Sequence, residues 1–254
     1  MYYKYNNISM YYEKHGEKNK KSILILPGWG DNRNTFKKII SYLEDQYNIY
    51  IFDYPGFGKS GVPEKNLTIY DYSTYFINFL KNLKIKNPIV IAHSFGGRIA
   101  ITMSGYYKVN FNKIILMSSA GIKPIKSKKQ ILKENIYRFL KRISHILPGN
   151  IKKMYLRKLI NIFGSSDYKQ LPQELHNTFK NIINEDLSCY LNKITSDVLL
   201  LWGENDTQTP ISDAHKMNKL INNSALISIK NTSHFFYLEK PLYIKKILVS
   251  YLKN

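Results

Sequence analysis

Short apolar runs bounded by turn residues recur along the chain and predict the strands of a buried sheet. The opening reads as a β-hairpin, with strands at 2–5 and 8–13 around an Asn6-Asn7 turn. Runs of four or five mainly aliphatic residues follow at 23–26, 49–52, 89–92, 114–117, 198–201 and 225–229. Continuous runs of this length favour strands buried on both faces, as in a parallel sheet covered by helices.

Helix-like stretches lie between or after these runs, at 72–83, 95–107, 211–221 and 238–252. In the first of them, Phe76, Phe79, Leu80 and Leu83 have the spacing of one helix face. Strands that alternate with helices predict an α/β fold with a doubly wound, mostly parallel sheet. We expect about eight strands, with the N-terminal hairpin antiparallel.

One long interval, from 121 to 197, has no strand pattern and is helical throughout. A first amphipathic helix ends at Pro148-Gly149, a second ends at Gly164, and a third follows Pro172. In the first helix the apolar positions lie on one face and the cationic positions on the opposite face. We expect the apolar faces to turn inward and the cationic faces outward.

This interruption predicts a two-part organisation. Residues 1–120 and 196–254 would form the α/β core, and residues 121–195 would form a helical cap inserted into it. The chain length of 254 residues suits one large domain that carries such an insertion.

Composition narrows the class of protein. A 44% hydrophobic and 22% charged chain is globular, and one cysteine, Cys189, excludes a disulfide framework and a cysteine-based zinc site. The N-terminus lacks the apolar core and the small-residue cleavage site of a signal peptide, and no run approaches the roughly 18 apolar residues that span a bilayer. We therefore expect a soluble cytoplasmic protein, either a monomer or a homodimer.

The net charge of +20 is unevenly distributed. Residues 121–160 contain 12 Lys and Arg but a single acid, Glu134. No RNA- or DNA-binding motif accompanies this charge, so we expect no nucleic-acid partner. An anionic substrate or an anionic membrane surface is an alternative partner for the cap. A solvated cationic face is the simpler interpretation, and we prefer it on the basis of the sequence.

The segment Ala92-His93-Ser94-Phe95-Gly96 follows a buried strand and opens a helix. A small-x-Ser-x-Gly sequence in this context is typical of a nucleophile elbow, because small residues allow a tight turn that exposes the serine hydroxyl. The helix N-terminus beneath it can stabilise an oxyanion. Ser94 is therefore the candidate nucleophile.

A serine hydroxyl needs a base, and the base needs a carboxylate that holds its tautomer. Asp206 lies in the loop after the strand at 198–201, and His234 lies between the last strand and the last helix. Both loops are expected at the carboxyl edge of the sheet, where open α/β sheets place their sites. The chain order of serine, acid and histidine is that of one hydrolase fold. Asp197 and Asp213 are weaker candidates for the acid.

An oxyanion also needs hydrogen-bond donors. The segment Gly28-Trp29-Gly30 follows the strand at 23–26 at the same edge, so the Trp29 N–H is one candidate donor. The N–H of Phe95, directly after the nucleophile, is the second. Histidines without metal-ligand spacing predict no metal site, and the chemistry requires no organic cofactor.

Together these residues resemble the α/β-hydrolase superfamily, in its capped esterase and carbon–carbon-bond hydrolase branch. The segment 53–60, Asp-Tyr-Pro-Gly-Phe-Gly-Lys-Ser, is similar to the D-x-P-G-x-G-x-S turn of that branch. Two residues depart from the pattern: Ala92 replaces the usual first glycine of the elbow, and Pro27 stands where a histidine often precedes the oxyanion glycine.

The resemblance implies that Ser94 is the nucleophile, Asp206 the acid, His234 the base, and Trp29 and Phe95 the oxyanion donors. It implies a serine hydrolase of carboxylesterase type that acts on small esters through an acyl-enzyme. Hydrolysis of a carbon–carbon bond in meta-cleavage-type dienoates is the alternative with the same triad. A non-catalytic ligand-binding protein on the hydrolase scaffold is a further alternative.

Overall fold

The apolar runs form strands in the computed structural model, which describes residues 1–16, 21–31, 33–123, 128–164, 168–169 and 171–253. The strands are β1 (Tyr2–Tyr5), β2 (Ile8–His15), β3 (Ser22–Leu26), β4 (Asn48–Phe52), β5 (Ile89–His93), β6 (Lys113–Met117), β7 (Asp197–Gly203) and β8 (Ser224–Ile229). Each predicted run lies inside one of these strands.

The strands form one sheet in the order β1-β2-β4-β3-β5-β6-β7-β8. The two N-terminal strands pair antiparallel, β2 pairs antiparallel with β4, and the remaining neighbours are parallel. Asn6 and Asn7 both have positive φ, as a two-residue hairpin turn requires. The predicted α/β sheet with an antiparallel N-terminal hairpin is confirmed.

Helices cover both faces of the sheet. They are α1 (Lys37–Leu43), α2 (Ile69–Asn82), α3 (Phe95–Ile101), α4 (Lys128–Ile143), α5 (Gly149–Phe163), α6 (His176–Asn184), α7 (Ser188–Leu191), α8 (Ile211–Leu220), α9 (Phe236–Glu239) and α10 (Pro241–Lys253). Short 3₁₀ turns occupy Arg33–Phe36, Ser144–Ile146 and Gln173–Leu175, and a π-helical turn at Thr102–Tyr106 continues α3.

Alternation along the central strands divides the core into two layers. Val90 and Ala92 of β5 pack in the layer that contains α2 and α3, whereas Ile89 and Ile91 pack in the layer that contains α1 and α10. Burial on both faces holds for the central strands. The expectation is wrong for β8, where Ala225 is exposed, because β8 is the edge strand and the helices cover only part of it.

The helical segment lies between β6 and β7, and its described residues contain no strand. We call residues 121–195 the insertion. Its helix α6 is attached to the core: Phe179 and Ile182 are buried, and the backbone N–H of Leu67 donates to the hydroxyl of Thr178 at 3.0 Å.

Helix α4 of the insertion departs from the expected burial. Its apolar side chains do not face inward: Leu132 is 60% exposed and Phe139 is 65% exposed. The sequence pattern correctly indicates two faces of different polarity, but it does not specify which face another element covers. The expectation that the apolar face of this helix turns inward is therefore wrong.

Candidate active site

Ser94 occupies a strained turn between β5 and α3. Its φ of 49° and ψ of −111° lie in a region that non-glycine residues rarely adopt. The turn is fixed by backbone hydrogen bonds: the N–H of Ser94 donates to the carbonyl of Met117 at 3.1 Å, and the Ser94 carbonyl accepts from Gly97 and Ala120. The side chain of Ser94 is therefore held at the carboxyl edge of the sheet.

Gly96 allows this turn to approach the neighbouring strand. Its N–H donates to the carbonyl of Pro27 at 3.0 Å, and a Cβ at position 96 would collide with the carbonyl oxygen of Leu26. The elbow therefore requires a glycine at position 96 because its backbone lies against the backbone of Leu26, and no side-chain rotation could relieve the collision.

We expect the substitution Gly96→Ala to destabilise the fold by about 1–3 kcal/mol, because the added methyl group displaces backbone atoms. Urea unfolding followed by circular dichroism measures this change. Gly149→Ala is the matched control, since a Cβ there meets no atom within 4 Å and alanine favours the helix it begins. Equal stability of the two variants would contradict the close approach at position 96.

Asp206 and His234 are brought together from two loops at the same edge. The side-chain Nδ1 of His234 donates to Oδ2 of Asp206 at 2.8 Å. The two loops are joined by the backbone N–H of Asn205, which donates to the carbonyl of Thr232 at 2.9 Å. Only 5% of Asp206 and 4% of His234 are exposed, so the pair is shielded from competing water.

The other oxygen of Asp206 is held by the backbone. Its Oδ1 accepts from the N–H groups of Gln208 and Thr209 at 2.9 and 3.0 Å. Burial by itself raises the pKa of Asp206, but the hydrogen bond and charge of His234 and the backbone donor of Thr209 outweigh it and lower that pKa to about 2. The carboxylate therefore stays ionised at neutral pH.

Trp202 fixes the loop that carries Asp206. The indole is fully buried at the end of β7, and its Nε1–H donates to the carbonyl of Thr209 at 2.7 Å. The hydroxyl of Thr209 lies 2.8 Å from Oδ2 of Asp206 and 3.3 Å from Nδ1 of His234. The position of the acid is thus determined by a core side chain, which its sequence context alone does not reveal.

His93 links the loop that carries His234 to the turn of Ser94. Its Nε2–H donates to the backbone carbonyl of His234 at 3.1 Å, and the two imidazole rings lie 4.7 Å apart, centre to centre. His93 immediately precedes Ser94, so the contact places His234 beside the elbow. Burial lowers the pKa of His93, whose ring is 1% exposed, and favours its neutral form.

The backbone N–H groups of Trp29 and Phe95 are available as donors. Among the described residues neither N–H has a hydrogen-bond acceptor. The turn that contains Trp29 is tied to the elbow through Pro27, whose carbonyl accepts from the Gly96 N–H and from the hydroxyl of Tyr54 at 2.9 Å. Proline in place of the family's histidine therefore leaves this turn anchored by its carbonyl group.

Aromatic side chains enclose the region around Trp29. Its indole makes edge contacts with Phe57 and Phe95, each with ring centres 4.9 Å apart. Phe179 of the insertion packs against the same indole at 5.4 Å. Helix α6 therefore covers the candidate oxyanion turn with an apolar surface.

The turn at 53–60 has a structural role. The Asp53 carboxylate accepts from the backbone N–H of Lys59 at 2.8 Å and pairs with Arg33, while the Ser60 hydroxyl donates to the Asp53 carbonyl at 2.6 Å. A carboxylate of the chain itself fills the centre of this glycine-rich turn. Tyr54 belongs to this turn, and its hydroxyl donates to the Pro27 carbonyl, so the turn also supports Pro27.

The other two acids do not contact His234. Asp197 begins β7, at the opposite edge of the sheet, where it lies 3.9 Å from the ammonium group of Lys113. Asp213 lies in the first turn of α8, and burial raises its pKa. Within the described part of the chain, Asp206 is the carboxylate that pairs with this histidine.

The described residues contain no group of three His, Cys, Asp or Glu side chains that could hold a metal ion. None of the helices within those residues is both long enough and apolar enough to span a membrane.

The order and direction of the eight strands, with helices on both faces of the sheet, are those of the α/β hydrolase fold. The chain matches the family described as alpha/beta hydrolase fold over residues 21–151 and 163–241, and it belongs to that family. It is a hydrolase whose relatives include esterases.

Three similar proteins illustrate the range of these relatives. The pimeloyl-[acyl-carrier protein] methyl ester esterase of Wigglesworthia glossinidia brevipalpis is 27% identical, over 92% of this chain and 94% of its own length. The uncharacterized hydrolase YugF of Bacillus subtilis is 24% identical, over 98% and 96%. The solved structure of the esterase EaEST from Exiguobacterium antarcticum is 25% identical, with a TM-score of 0.74 over 97% of this chain and 96% of that one.

Proposed function

We propose that this protein is a serine esterase that hydrolyses small carboxylic esters. Ser94 is the nucleophile, His234 the general base and Asp206 the acid that orients the base. The backbone N–H groups of Trp29 and Phe95 form the oxyanion hole. Residues 1–120 and 196–254 are the catalytic core, and residues 121–195 are a cap that closes the substrate site.

The observation that carries this proposal is the buried hydrogen bond of 2.8 Å between His234 and Asp206, beside the strained turn of Ser94. A carboxylate on Nδ1 fixes the tautomer whose Nε2 has a free lone pair, which is the atom that accepts a proton from a serine hydroxyl. Backbone strain at Ser94 is also consistent with a functional site.

The reaction proceeds in two stages. Nε2 of His234 removes the proton of the Ser94 hydroxyl as Oγ attacks the ester carbonyl, and the N–H groups of Trp29 and Phe95 hold the resulting oxyanion. The imidazolium returns its proton to the leaving alcohol, which gives an acyl-enzyme on Ser94. Water, deprotonated by His234, then attacks the acyl carbonyl and releases the carboxylic acid and free Ser94.

The walls of the site favour an apolar acyl group. Trp29, Phe57 and Phe95 of the core and Phe179 of the insertion present aromatic surface at the oxyanion turn. The similarity to a methyl ester esterase and to the esterase EaEST also favours esters over other carbonyl compounds.

A fluorophosphonate probe tests the nucleophile directly, because it phosphonylates an activated serine. We expect one covalent adduct per chain, located at Ser94 by peptide mass spectrometry and absent from Ser94→Ala. Short p-nitrophenyl esters are expected to be hydrolysed and to compete with the probe.

Other results would select another function. If the probe labels Ser94 but only a ring-cleavage dienoate is consumed, the protein is a carbon–carbon-bond hydrolase. If there is no label that depends on Ser94, the protein is a ligand-binding member of the fold and the esterase proposal is wrong.

A further inference from the structure

An exposed apolar stripe runs along α4 and into the 3₁₀ turn that follows it. Its residues are spaced alternately four and three positions apart, so they share one helix face. They are Leu132, Ile136, Phe139, Ile143 and Ile146, exposed by 60%, 44%, 65%, 36% and 82%. At 1.5 Å per residue the stripe is about 21 Å long.

The rest of the described chain leaves this stripe open. Helix α5 packs beside α4, with the hydroxyl of Tyr155 donating to the carbonyl of Leu140 at 3.1 Å, yet it adds exposed apolar side chains of its own. Ile151 is 55% exposed and Met154 is 75% exposed. A contiguous apolar patch on a protein surface, such as this one, marks an interaction site.

The same two helices carry ten of the insertion's fifteen Lys and Arg residues. Their basic residues are Lys128, Lys129, Lys133, Arg138, Lys141, Arg142, Lys152, Lys153, Arg157 and Lys158. Their one acidic residue, Glu134, lies 3.5 Å from Arg138 and is therefore already compensated. The partner of this face must accept apolar side chains and supply many negative charges.

We propose that the α4–α5 face, formed by the apolar stripe and these basic residues, binds the surface of an anionic lipid bilayer. Leu132, Phe139 and Ile146 insert at the boundary between headgroups and acyl chains, while Lys and Arg side chains at the flanks pair with lipid phosphates. This is the arrangement of an interfacial amphipathic helix, whose apolar face lies about 5–10 Å deep.

Two other occupants fit the face less well. A second copy of the chain would place two strongly cationic helices against each other, and like charges oppose such a contact. A nucleic acid would satisfy the charge, but its phosphate backbone offers no apolar environment for the stripe. A bilayer satisfies both features, and binding to it requires neither a catalytic step nor the proposed esterase activity.

Vesicle co-sedimentation of the full chain tests the apolar part of this proposal. We expect binding to phosphatidylcholine vesicles that contain about one third phosphatidylglycerol, and little binding to phosphatidylcholine alone. The combined variant Leu132→Gln, Phe139→Gln and Ile146→Gln should lower the partition coefficient at least about tenfold. These side chains are exposed, so circular dichroism and thermal unfolding should match those of the wild type.

The matched control replaces equally exposed apolar residues elsewhere. Val62→Gln, Leu242→Gln and Tyr243→Gln change side chains that are 62%, 71% and 48% exposed. This variant should bind anionic vesicles as the wild type does. Equal losses in the two variants would overturn the assignment of the α4–α5 face.

Charge reversal tests the electrostatic part. Lys133→Glu with Arg142→Glu, which change exposed residues on the two flanks of the stripe, should reduce binding to anionic vesicles more than Lys86→Glu with Lys246→Glu, although both variants change the net charge equally. Added salt should weaken wild-type binding.

Three further results would refute the proposal. The first is failure of the wild type to bind anionic vesicles. The second is a wild-type dimer, seen by analytical ultracentrifugation, that the glutamine stripe variant dissociates, which would assign the face to a second copy. The third is binding to duplex DNA, sensitive to the same charge reversals, by a protein that ignores vesicles.

Discussion

Replacement of His234 by glutamine is expected to lower kcat/KM for a short p-nitrophenyl ester about 10⁵- to 10⁶-fold. The glutamine amide cannot accept a proton from the Ser94 hydroxyl, so both acylation and deacylation lose their base. Asp206 would remain buried but would lose its partner at 2.8 Å. Steady-state kinetics together with the rate of fluorophosphonate labelling measures the loss, because the probe requires the same activated serine.

His93 provides a control for this substitution within the same cluster. It is equally buried and its ring lies 4.7 Å from that of His234, but its hydrogen bond to His234 goes to the backbone carbonyl and not to the imidazole. A glutamine at position 93 retains a side-chain N–H donor, so we expect a loss of about 10- to 100-fold, which is typical of a group that positions another. Similar losses at positions 93 and 234 would contradict the assignment of His234 as the base.

The strands and the elbow are predictable because their signals are local. Six aliphatic runs identify the strands from β3 to β8, and a turn with small residues between a strand and a helix identifies the position of Ser94. Parallel strands then bring their carboxyl ends to one edge, which is why Asp206 and His234 can be placed there without coordinates of any side chain. Helix α1 is missing from the predictions, although Phe36, Ile39, Ile40 and Leu43 carry the spacing of a buried helix face.

The features that the sequence does not predict depend on contacts between distant segments. The hydroxyl of Tyr54 reaches the carbonyl of Pro27, and Phe179 packs on Trp29 across 150 positions of the chain. The exposure of Phe139 is likewise not predicted, because amphipathic spacing shows which residues share a helix face but not whether another element packs on that face. Such facts require the tertiary arrangement of the core and the insertion.

In this arrangement the elbow contacts two loops and one strand. The turn that contains Trp29 reaches it through the Pro27 carbonyl, the loop that carries His234 through His93, and strand β6 through the Met117 carbonyl. Each contact is a backbone hydrogen-bond acceptor with a fixed donor, so the positions of these three segments are coupled. The geometry at Ser94 therefore depends little on which side chains line the substrate site, which is consistent with one fold that supports many substrates.

The second large loss of activity is expected from Asp206→Asn. Oδ1 of Asp206 accepts two backbone N–H groups, from Gln208 and Thr209, and only the oxygen of an asparagine amide can take that position. The amide nitrogen must then face Nδ1 of His234, which becomes an acceptor. Its proton moves to Nε2, the atom that has to receive the proton of Ser94, and kcat should fall about 10⁴-fold.

Asp213→Asn separates this tautomer effect from a general loss of negative charge near the site. Asp213 lies on the adjacent helix α8, and its carboxylate contributes to the electrostatic surroundings of Asp206 without contacting His234. We expect its kcat to remain within about threefold of the wild type, since the charge acts at a distance and is partly screened. A change of tautomer also predicts that Asp206→Asn keeps the wild-type fold and substrate affinity, so the loss should appear in kcat and not in KM. If Asp213→Asn were the more damaging substitution, the acid of the site would be Asp213.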